Sequence, residues 1–306
     1  MKINELKKGA NTISLMVKEV EIKICSNGKK NYSKFFLTDG TNDITANAWS
    51  EVKDAKAGDI VELQIDVGEY QGNPSYTIKN YTILPTGAYN IADFIKKAPL
   101  DSNKMYNDLL TVINKIEDSD YKKLVNTIYK KQKDNLLKWS AAKTIHHNTI
   151  GGLLYHTYRM SASAIKMSQI YHTLNKDVVL IGVLLHDIGK LEELIVDDMG
   201  NTDYTISGDL LGHIYIGARI VEETGKELNI PTEKIRNIVH IILSHHGTPE
   251  MGSSIVPHTM EAMVVHELDM IDSRIYQYEQ ITKDLKSGEI SSSAIYTLNN
   301  VHIYKC

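Results

Sequence analysis

The hydrophobic pattern of this chain changes its period once, and that change limits the folds that its 306 residues can adopt. In the first 85 residues, apolar and polar residues alternate, as at Val20, Ile22 and Ile24, which is typical of strands with one buried face. Turn sequences such as Asp39-Gly40 separate five such segments. Five short strands in so short a stretch predict a small closed β-barrel.

From about residue 103 onward the apolar residues follow a helical period. Leu109, Leu110 and Ile113 lie on one face of a predicted helix, and helical patterns continue beyond it. We therefore divide the chain into a barrel domain (1–85), a linker (86–102) and a helical domain (103–306) whose core spans about 146–286.

The net charge of −4 conceals a segregation of charge along the chain. The predicted barrel domain is neutral, residues 86–150 carry +4, and residues 151–306 carry −8. This distribution excludes a uniformly basic nucleic-acid coat protein.

The cysteines and apolar runs predict a cytoplasmic protein without membrane contact. Cys25 and Cys306 cannot build a disulfide framework, and no CxxC pair is present to hold zinc. The longest strongly apolar run, 178–185, is far shorter than a membrane helix, and the N-terminus lacks the apolar stretch of a signal peptide.

All 12 histidines lie at or after residue 146. Most belong to five short segments: 146–157, 184–190, 210–214, 240–250 and 261–272. The dipeptide His186-Asp187 is the most informative, because it ends an apolar helical run and precedes Gly189 and Lys190. Neutral imidazole and carboxylate together bind divalent metals such as Mn, Fe, Co or Zn. We therefore expect a metal site in the helical domain.

The order His156, His186-Asp187, Asp269 resembles the HD superfamily of metal-dependent phosphohydrolases. The segments HHNTIGGLLYHT, GVLLHDIGKLEEL, LLGHIYIG and ILSHHGTPEMGS resemble more closely the YhaM-type 3′–5′ exoribonucleases. That resemblance extends over essentially the whole chain. It implies an OB-type five-stranded barrel followed by an all-α HD domain. One departure is Ser253-Ser254, where the family pattern has a proline after the first serine.

The resemblance also implies a metal site and its ligands. His156, His186, Asp187 and Asp269 would hold one ion, and His213, His245 and His246 a second, with Asp187 bridging them. Manganese is the metal we expect, with Co, Fe, Ni and Zn as alternatives. Asp187 and Lys190 are the predicted catalytic residues, with Lys190 facing the phosphate or the developing negative charge. The products would be 5′-nucleoside monophosphates from a 3′ end.

Some of these assignments leave alternatives open. A site for one metal would leave His213, His245 and His246 lining the pocket. His266 and Asp269 are three residues apart on one predicted helix, so either can face the metal, and we prefer Asp269 from the motif order. Asp272 is predicted to support a ligand from behind. Glu193 is predicted to be solvated or to orient Lys190.

Further residues are candidates for contacts with single-stranded RNA, or with single-stranded DNA. On the barrel, aromatic and basic side chains can stack on bases and bind phosphates, although aromatics at alternate positions also fill small cores. In the helical domain, one histidine and one arginine near the predicted ligands are further candidates for substrate contacts. The predicted substrate contacts are Tyr32, Lys34, Phe36, Trp49, His147 and Arg159.

Three functions are compatible with the sequence. The first is a metal-dependent 3′–5′ exoribonuclease. The second is an HD phosphohydrolase or phosphodiesterase acting on small nucleotides or cyclic dinucleotides, with the barrel serving assembly. The third is a single-strand-binding module with a degenerate HD domain, against which the complete ligand set argues. A homo-oligomer is compatible with each of them.

Overall fold

The computed structural model describes residues 1–24, 31–70, 72–139, 149–197, 202–283 and 285–306. The chain forms two compact units, Met1–Lys97 and Ala98–Cys306. The division between them falls within the segment that the sequence predicts as a linker, 86–102. Among the described residues, no helix combines the length and the apolar character needed to cross a membrane.

The first unit is a closed five-stranded barrel with the strand order β1-β2-β3-β5-β4. Its strands are β1 (Gly9–Ile24), β2 (Asn31–Thr38), β3 (Asp43–Ala48), β4 (Ile60–Tyr70) and β5 (Asn73–Ile83). The long strand β1 closes the barrel because it pairs antiparallel with both β2 and β4, and its register shifts between Val17 and Glu19. The strands β3 and β5 pair in parallel. This order is that of an OB-fold, so the predicted barrel is confirmed.

Alternation along the strands builds the barrel core. Leu15, Val17, Phe35, Leu37 and Leu63 are fully buried. Burying side chains of this size stabilises the fold by about 1.5–3 kcal/mol each.

The second unit is predominantly helical. Its helices are α1 (Ser102–Asn114), α2 (Ser119–Lys131), α3 (Lys133–Lys138), α4 (Gly152–Ile170), α5 (Lys176–Leu185), α6 (Lys190–Glu193), α7 (Ile206–Glu227), α8 (Thr232–Ser244) and α9 (Met260–Thr282). A short hairpin of β6 (Leu194–Val196) and β7 (Thr202–Tyr204) interrupts them and adds a small β element to the predicted all-α domain.

Polar side chains cap several of these helices. Asp101, Asn175, Thr205 and Thr259 each accept a hydrogen bond from a backbone N–H in the first turn of the helix that follows. Such caps stabilise a helix by about 1 kcal/mol each. These caps fix the residues at which α1, α5, α7 and α9 begin.

Helix α5 lies at the centre of this unit, and every residue from Val178 to Leu185 is buried. Its Gly182 lets two other helices approach closely, since a Cβ there would lie 2.9 Å from Ile241 Cδ1 and 3.0 Å from Val265 Cγ2. Ile241 belongs to α8 and Val265 to α9. Close packing at this glycine brings the ends of α5 and α8 towards the same region.

Candidate metal centre

Two helices each end in a histidine that is held in the same way. His186 follows α5, and its Nδ1 lies 2.9 Å from the carbonyl oxygen of Val183. His245 follows α8, and its Nδ1 lies 2.7 Å from the carbonyl oxygen of Ile242. A carbonyl only accepts, so Nδ1 carries the proton and donates it in both rings. Each Nε2 therefore keeps its lone pair for another partner.

His156 lies within α4 and is fully buried. Its Nδ1 is 2.7 Å from Asp272 Oδ2. On the other side of the ring, Nε2 lies 3.3 Å from His186 Nε2 and 3.2 Å from Asp269 Oδ1. The carboxylate of Asp272 thus directs Nε2 of His156 towards Asp269 and His186.

A break inside α7 presents His213. Gly212 has a φ of 69° and a ψ of 155°, which interrupts the helical backbone just before His213. Glu193 Oε1 accepts hydrogen bonds from both the backbone N–H and the Nδ1–H of His213, each at 2.9 Å. Positive φ values are accessible to glycine at little cost, so this break suits the residue type.

The α7 backbone also rests directly on the turn that carries Asp187. A Cβ added to Gly189 would lie 2.0 Å from the carbonyl oxygen of His213 and 2.6 Å from the backbone nitrogen of Gly217. No side chain fits between the two segments. Glycine at 189 is therefore required for His213 to approach the His186-Asp187 turn.

Asp187 is the central carboxylate of the cluster, and only 4% of it is exposed. Its Oδ2 accepts a hydrogen bond from Lys190 Nζ at 2.6 Å. Its Oδ1 lies 3.6 Å from His245 Nε2 and 3.7 Å from His213 Nε2. The same carboxylate thus faces Lys190 through one oxygen and two imidazoles through the other.

Four buried polar atoms at this cluster have no hydrogen-bond partner. They are Asp187 Oδ1, His213 Nε2, His245 Nε2 and His246 Nδ1. Leaving a buried polar group unpaired costs about 1–3 kcal/mol each, and proteins avoid it unless a ligand completes the site. Imidazole nitrogens and a carboxylate oxygen are donors that divalent transition metals accept. The residues present therefore fit a metal ion.

The described residues contain two groups of potential ligands. In each group, the ligand atoms all lie within 4.8 Å of one another. The first triad is His156, His186 and Asp187, and the second triad is His213, His245 and His246. Asp187 Oδ1 also faces His213 and His245, so this carboxylate belongs to the first triad and adjoins the second.

The electrostatics keep several of these groups in the protonation states that metals require. Burial lowers the pKa of His245, and it lowers the pKa of His246 to about 3 with the help of the neighbouring His245 and His213. Both rings are therefore neutral at pH 7. Burial opposes ionisation of Asp187, but Lys190 and His186 outweigh it and hold the pKa of Asp187 well below its usual range.

His156 differs from these two histidines. Burial disfavours its charged form, yet hydrogen bonds to Asp269 and Asp272 outweigh burial and raise the pKa of His156 to about 9. Reciprocally, the interaction with His156 lowers the pKa of Asp269 despite burial. The pair of carboxylates thus favours a positive charge at this ring, which a proton or a metal cation can supply.

Comparison with known proteins agrees with this geometry. A family model described as HD domain matches residues 153–274. The 3′-5′ exoribonuclease YhaM of Bacillus licheniformis is 32% identical over 302 residues, covering 95% of this chain and 93% of that protein. The YhaM of Shouchella clausii is 33% identical over 298 residues, with 95% and 92% covered. The chain belongs to the YhaM family.

The match to the YhaM family includes the barrel as well as the HD domain, since it spans almost the whole chain. The second OB-fold domain of replication protein A from Methanococcus maripaludis also aligns, over 29% of this chain and 98% of that domain, at 24% identity and a TM-score of 0.25. The HD domain and the buried histidine–aspartate cluster together indicate that this member of the YhaM family binds divalent metal.

The structure brings together all seven residues that the sequence predicts as ligands, with Lys190 beside them. Arg159 instead lies in ion pairs with Asp272 and Glu279. His147 lies outside the described residues. His266 directs its Nδ1 to the carbonyl oxygen of His245 at 2.7 Å.

Two supporting contacts were only partly anticipated from the sequence. Asp272 does support a predicted ligand, His156, as expected. Glu193 binds His213, whereas the sequence predicted solvent or Lys190 as its partner. Glu193 and His213 are 20 residues apart and meet only because the β6–β7 hairpin folds α7 back onto α6. No local pattern carries that information.

The four predicted contacts of the barrel lie on β2 and just after β3. Tyr32, Lys34 and Phe36 are half-buried on one face of β2, whereas Phe35 between them is fully buried. Trp49 is 63% exposed, with its ring centroid 5.4 Å from that of Tyr32. Lys34 Nζ lies 5.1 Å from the Phe36 ring. These aromatic and cationic groups therefore share one accessible region of the barrel.

Proposed function

We propose that this protein is a metal-dependent 3′–5′ exoribonuclease that hydrolyses single-stranded RNA to 5′-nucleoside monophosphates. The observation that carries the proposal is the set of four unpartnered buried atoms at Asp187, His213, His245 and His246. Relatives named 3′-5′ exoribonuclease that match over 95% of the chain support the reaction and its direction.

Seven side chains would hold two divalent ions. His156, His186, Asp187 and Asp269 are the proposed ligands of one ion, and His213, His245 and His246, with Asp187 shared, those of the other. When bound, two such ions supply an activated water and stabilise the charge on the attacking and leaving oxygens. An imidazole-rich site with carboxylates suits divalent first-row metals, and manganese is the one that we propose. Cobalt, iron, nickel and zinc are the alternatives to be compared with it.

The chain's own residues prepare the site for an anionic substrate. Lys190 is buried against Asp187 and keeps its proton, because the charge of Asp187 raises the pKa of Lys190 although burial lowers it. We propose that this ammonium group also faces the scissile phosphate and stabilises the charge that develops there. Asp187 is the second proposed catalytic residue, because its carboxylate belongs to the first triad and faces two imidazoles of the second.

The barrel is the proposed binding site for the single-stranded substrate. Trp49 and Tyr32 offer ring faces on which bases can stack, and Lys34 offers a charge to the phosphates. The barrel carries no net charge, so we expect stacking to contribute more than electrostatics. His147 and single-stranded DNA as a further substrate stay predictions, as do the cytoplasmic location and a homo-oligomeric state.

The test is the fate of a 5′-labelled single-stranded RNA incubated with the protein and Mn²⁺. Stepwise shortening from the 3′ end, with 5′-monophosphates as products, supports the proposal. The matched substrates are the same RNA in a blunt duplex, free nucleotides and a cyclic dinucleotide. Hydrolysis of the small nucleotides without shortening of the RNA would contradict it in favour of a small-molecule phosphohydrolase. Retardation of the RNA in a gel without cleavage, whichever metal is added, would also contradict the proposal.

A further inference from the structure

Arg159 stands at the centre of a chain of charged contacts that ends on His156. Its Nε lies 2.6 Å from Asp272 Oδ1, and its Nη1 lies 2.7 Å from Glu279 Oε2. The other oxygen of Asp272 lies 2.7 Å from His156 Nδ1. The order of contacts is therefore Glu279, Arg159, Asp272, His156.

This chain of contacts fixes the orientation of the His156 ring. Asp272 accepts the Nδ1 proton, so it is Nε2 that faces Asp269 and His186. Arg159 occupies the second oxygen of Asp272 and thereby prevents that carboxylate from turning away. The guanidinium is planar, so bonds from two of its nitrogens fix its plane as well as its position.

Arg159 is poorly placed to leave these partners for a substrate. Its side chain is only 19% exposed, and its guanidinium carbon lies 5.5 Å from the centroid of the Tyr155 ring. The carboxylates of Glu279 and Asp272 raise its pKa although burial lowers it, so its charge is retained. Binding a phosphate would require Arg159 to give up at least one of two close ion pairs.

We propose that Arg159 is a positioning residue that sets metal affinity through Asp272 and His156, and that it does not contact the substrate. The proposal rests on the metal-binding role assigned to His156 under the proposed function. Outer partners of metal-bound histidines typically change metal affinity by about 10–100-fold when they are replaced. A substrate contact would instead change the KM for RNA and leave metal affinity untouched.

The experiment compares Arg159→Met with the wild-type full-length protein by calorimetric titration of Mn²⁺ without RNA. We expect the Kd of the more affected Mn²⁺ step to rise about 10–100-fold in the variant. At saturating Mn²⁺, the KM for single-stranded RNA should stay within about twofold of the wild-type value. Arg236→Met is the matched control, because Arg236 is an exposed arginine of α8 in the same unit, and it should change neither quantity.

Two further variants keep the proposal testable if Arg159→Met folds poorly. Arg159→Lys retains the charge but cannot donate from two nitrogens in one plane, so Mn²⁺ affinity should be intermediate. Glu279→Gln removes the exposed end of the chain of contacts and should weaken Mn²⁺ binding least. Circular dichroism and the Tm of each metal-free variant report on folding.

The opposite result is equally clear. An unchanged Mn²⁺ Kd with a raised KM for RNA in Arg159→Met would overturn the proposal and identify Arg159 as a substrate contact. Failure of the proposed function would look different. In that case the wild-type protein would not shorten RNA at all, while the Mn²⁺ titrations would still support or overturn the role of Arg159.

Discussion

A buried aspartate in the barrel and one in the helical unit differ in how completely their carboxylates are hydrogen-bonded. In the barrel, Asp39 is 1% exposed and accepts hydrogen bonds from the backbone N–H groups of Ile3, Thr41 and Asn42, each at 2.7 Å. In the helical unit, Asp187 is 4% exposed and one of its oxygens has no hydrogen-bond partner. A carboxylate whose oxygens all have donors stabilises a fold, whereas a carboxylate oxygen without a donor among histidines fits a cation.

The sharpest test of this contrast is Asp187→Asn. The substitution keeps the size of the side chain but removes the charge that the first triad presents to the second. Replacing an outer partner of a metal ligand typically lowers metal affinity about 10–100-fold. We expect Asp187→Asn to lower Mn²⁺ affinity by more than this and to abolish RNA hydrolysis. Calorimetric titration and the 3′-end assay measure the two effects.

Asp39→Asn is the matched change in the barrel and should leave Mn²⁺ affinity unaltered. A barrel variant that lost metal binding, or an Asp187→Asn protein that kept full activity, would break the comparison. Circular dichroism of both variants checks that the helices persist.

Metal binding should stabilise the helical unit but not the barrel. At Mn²⁺ concentrations about 100 times the Kd, the stabilisation expected by mass action is about 2.7 kcal/mol. Amide hydrogen exchange can follow the two units separately in one sample. Slower exchange in α5 and α8 after addition of Mn²⁺, reversed by a chelator, is the expected result. Equal slowing in the barrel strands would contradict a metal site confined to the helical unit.

The saturated aspartate predicts a smaller effect of its own. Asp39→Asn leaves buried backbone N–H groups poorly paired, which should lower the free energy of unfolding of the barrel by about 1–3 kcal/mol. Amide hydrogen exchange of the barrel strands, which separates this unit from the helical one, gives this value. An unchanged stability would show that backbone contacts to Asp39 do not hold the loop between β2 and β3.

The pH dependence of that contribution has a definite sign. The backbone hydrogen bonds and Lys2 outweigh burial and lower the pKa of Asp39 in the folded protein. A lowered folded pKa means that the stabilisation is complete above the unfolded value of about 3.9 and is lost as pH falls through the folded pKa. The difference in stability between wild type and Asp39→Asn should therefore shrink below about pH 4.

The smallest expected effect concerns the accessible face of the barrel. Trp49→Ala should weaken binding of a single-stranded RNA by about 1 kcal/mol, or roughly fivefold in Kd, through loss of one stacking surface. Cleavage of a dinucleotide at saturating Mn²⁺ should be unaffected. Fluorescence anisotropy with an inactive Asp187→Asn background isolates binding, and equal affinity with and without Trp49 would remove this residue from the RNA path.

Much of this organisation was predictable because it depends on local patterns of apolar and polar residues. Alternation predicted the five strands, and the apolar run before His186 predicted a buried helix that ends at two of the predicted metal ligands. The seven predicted ligands followed from the resemblance to the HD superfamily, and the structure brings these residues together. What remained hidden depends on contacts between distant segments, as in the pairing of Glu193 with His213.

The role of Arg159 illustrates the same limit. An arginine three residues after His156 is compatible with binding a phosphate, and only the packing of α9 against α4 shows Asp272 and Glu279 in front of its guanidinium. Charge and residue type identify candidates, and three-dimensional partners supply the basis for the proposal that Arg159 is a positioning residue.

The direct contact of the α7 backbone with Gly189 has a consequence for local opening. Because a side chain cannot fit between Gly189 and the segment from His213 to Gly217, the turn that carries His186 and Asp187 cannot move towards α7 without displacing it. The two triads should therefore open and close as one cooperative unit. Under the proposed two-ion arrangement, Gly189→Ala would weaken both ion sites together, because its methyl group would displace α7 from the turn.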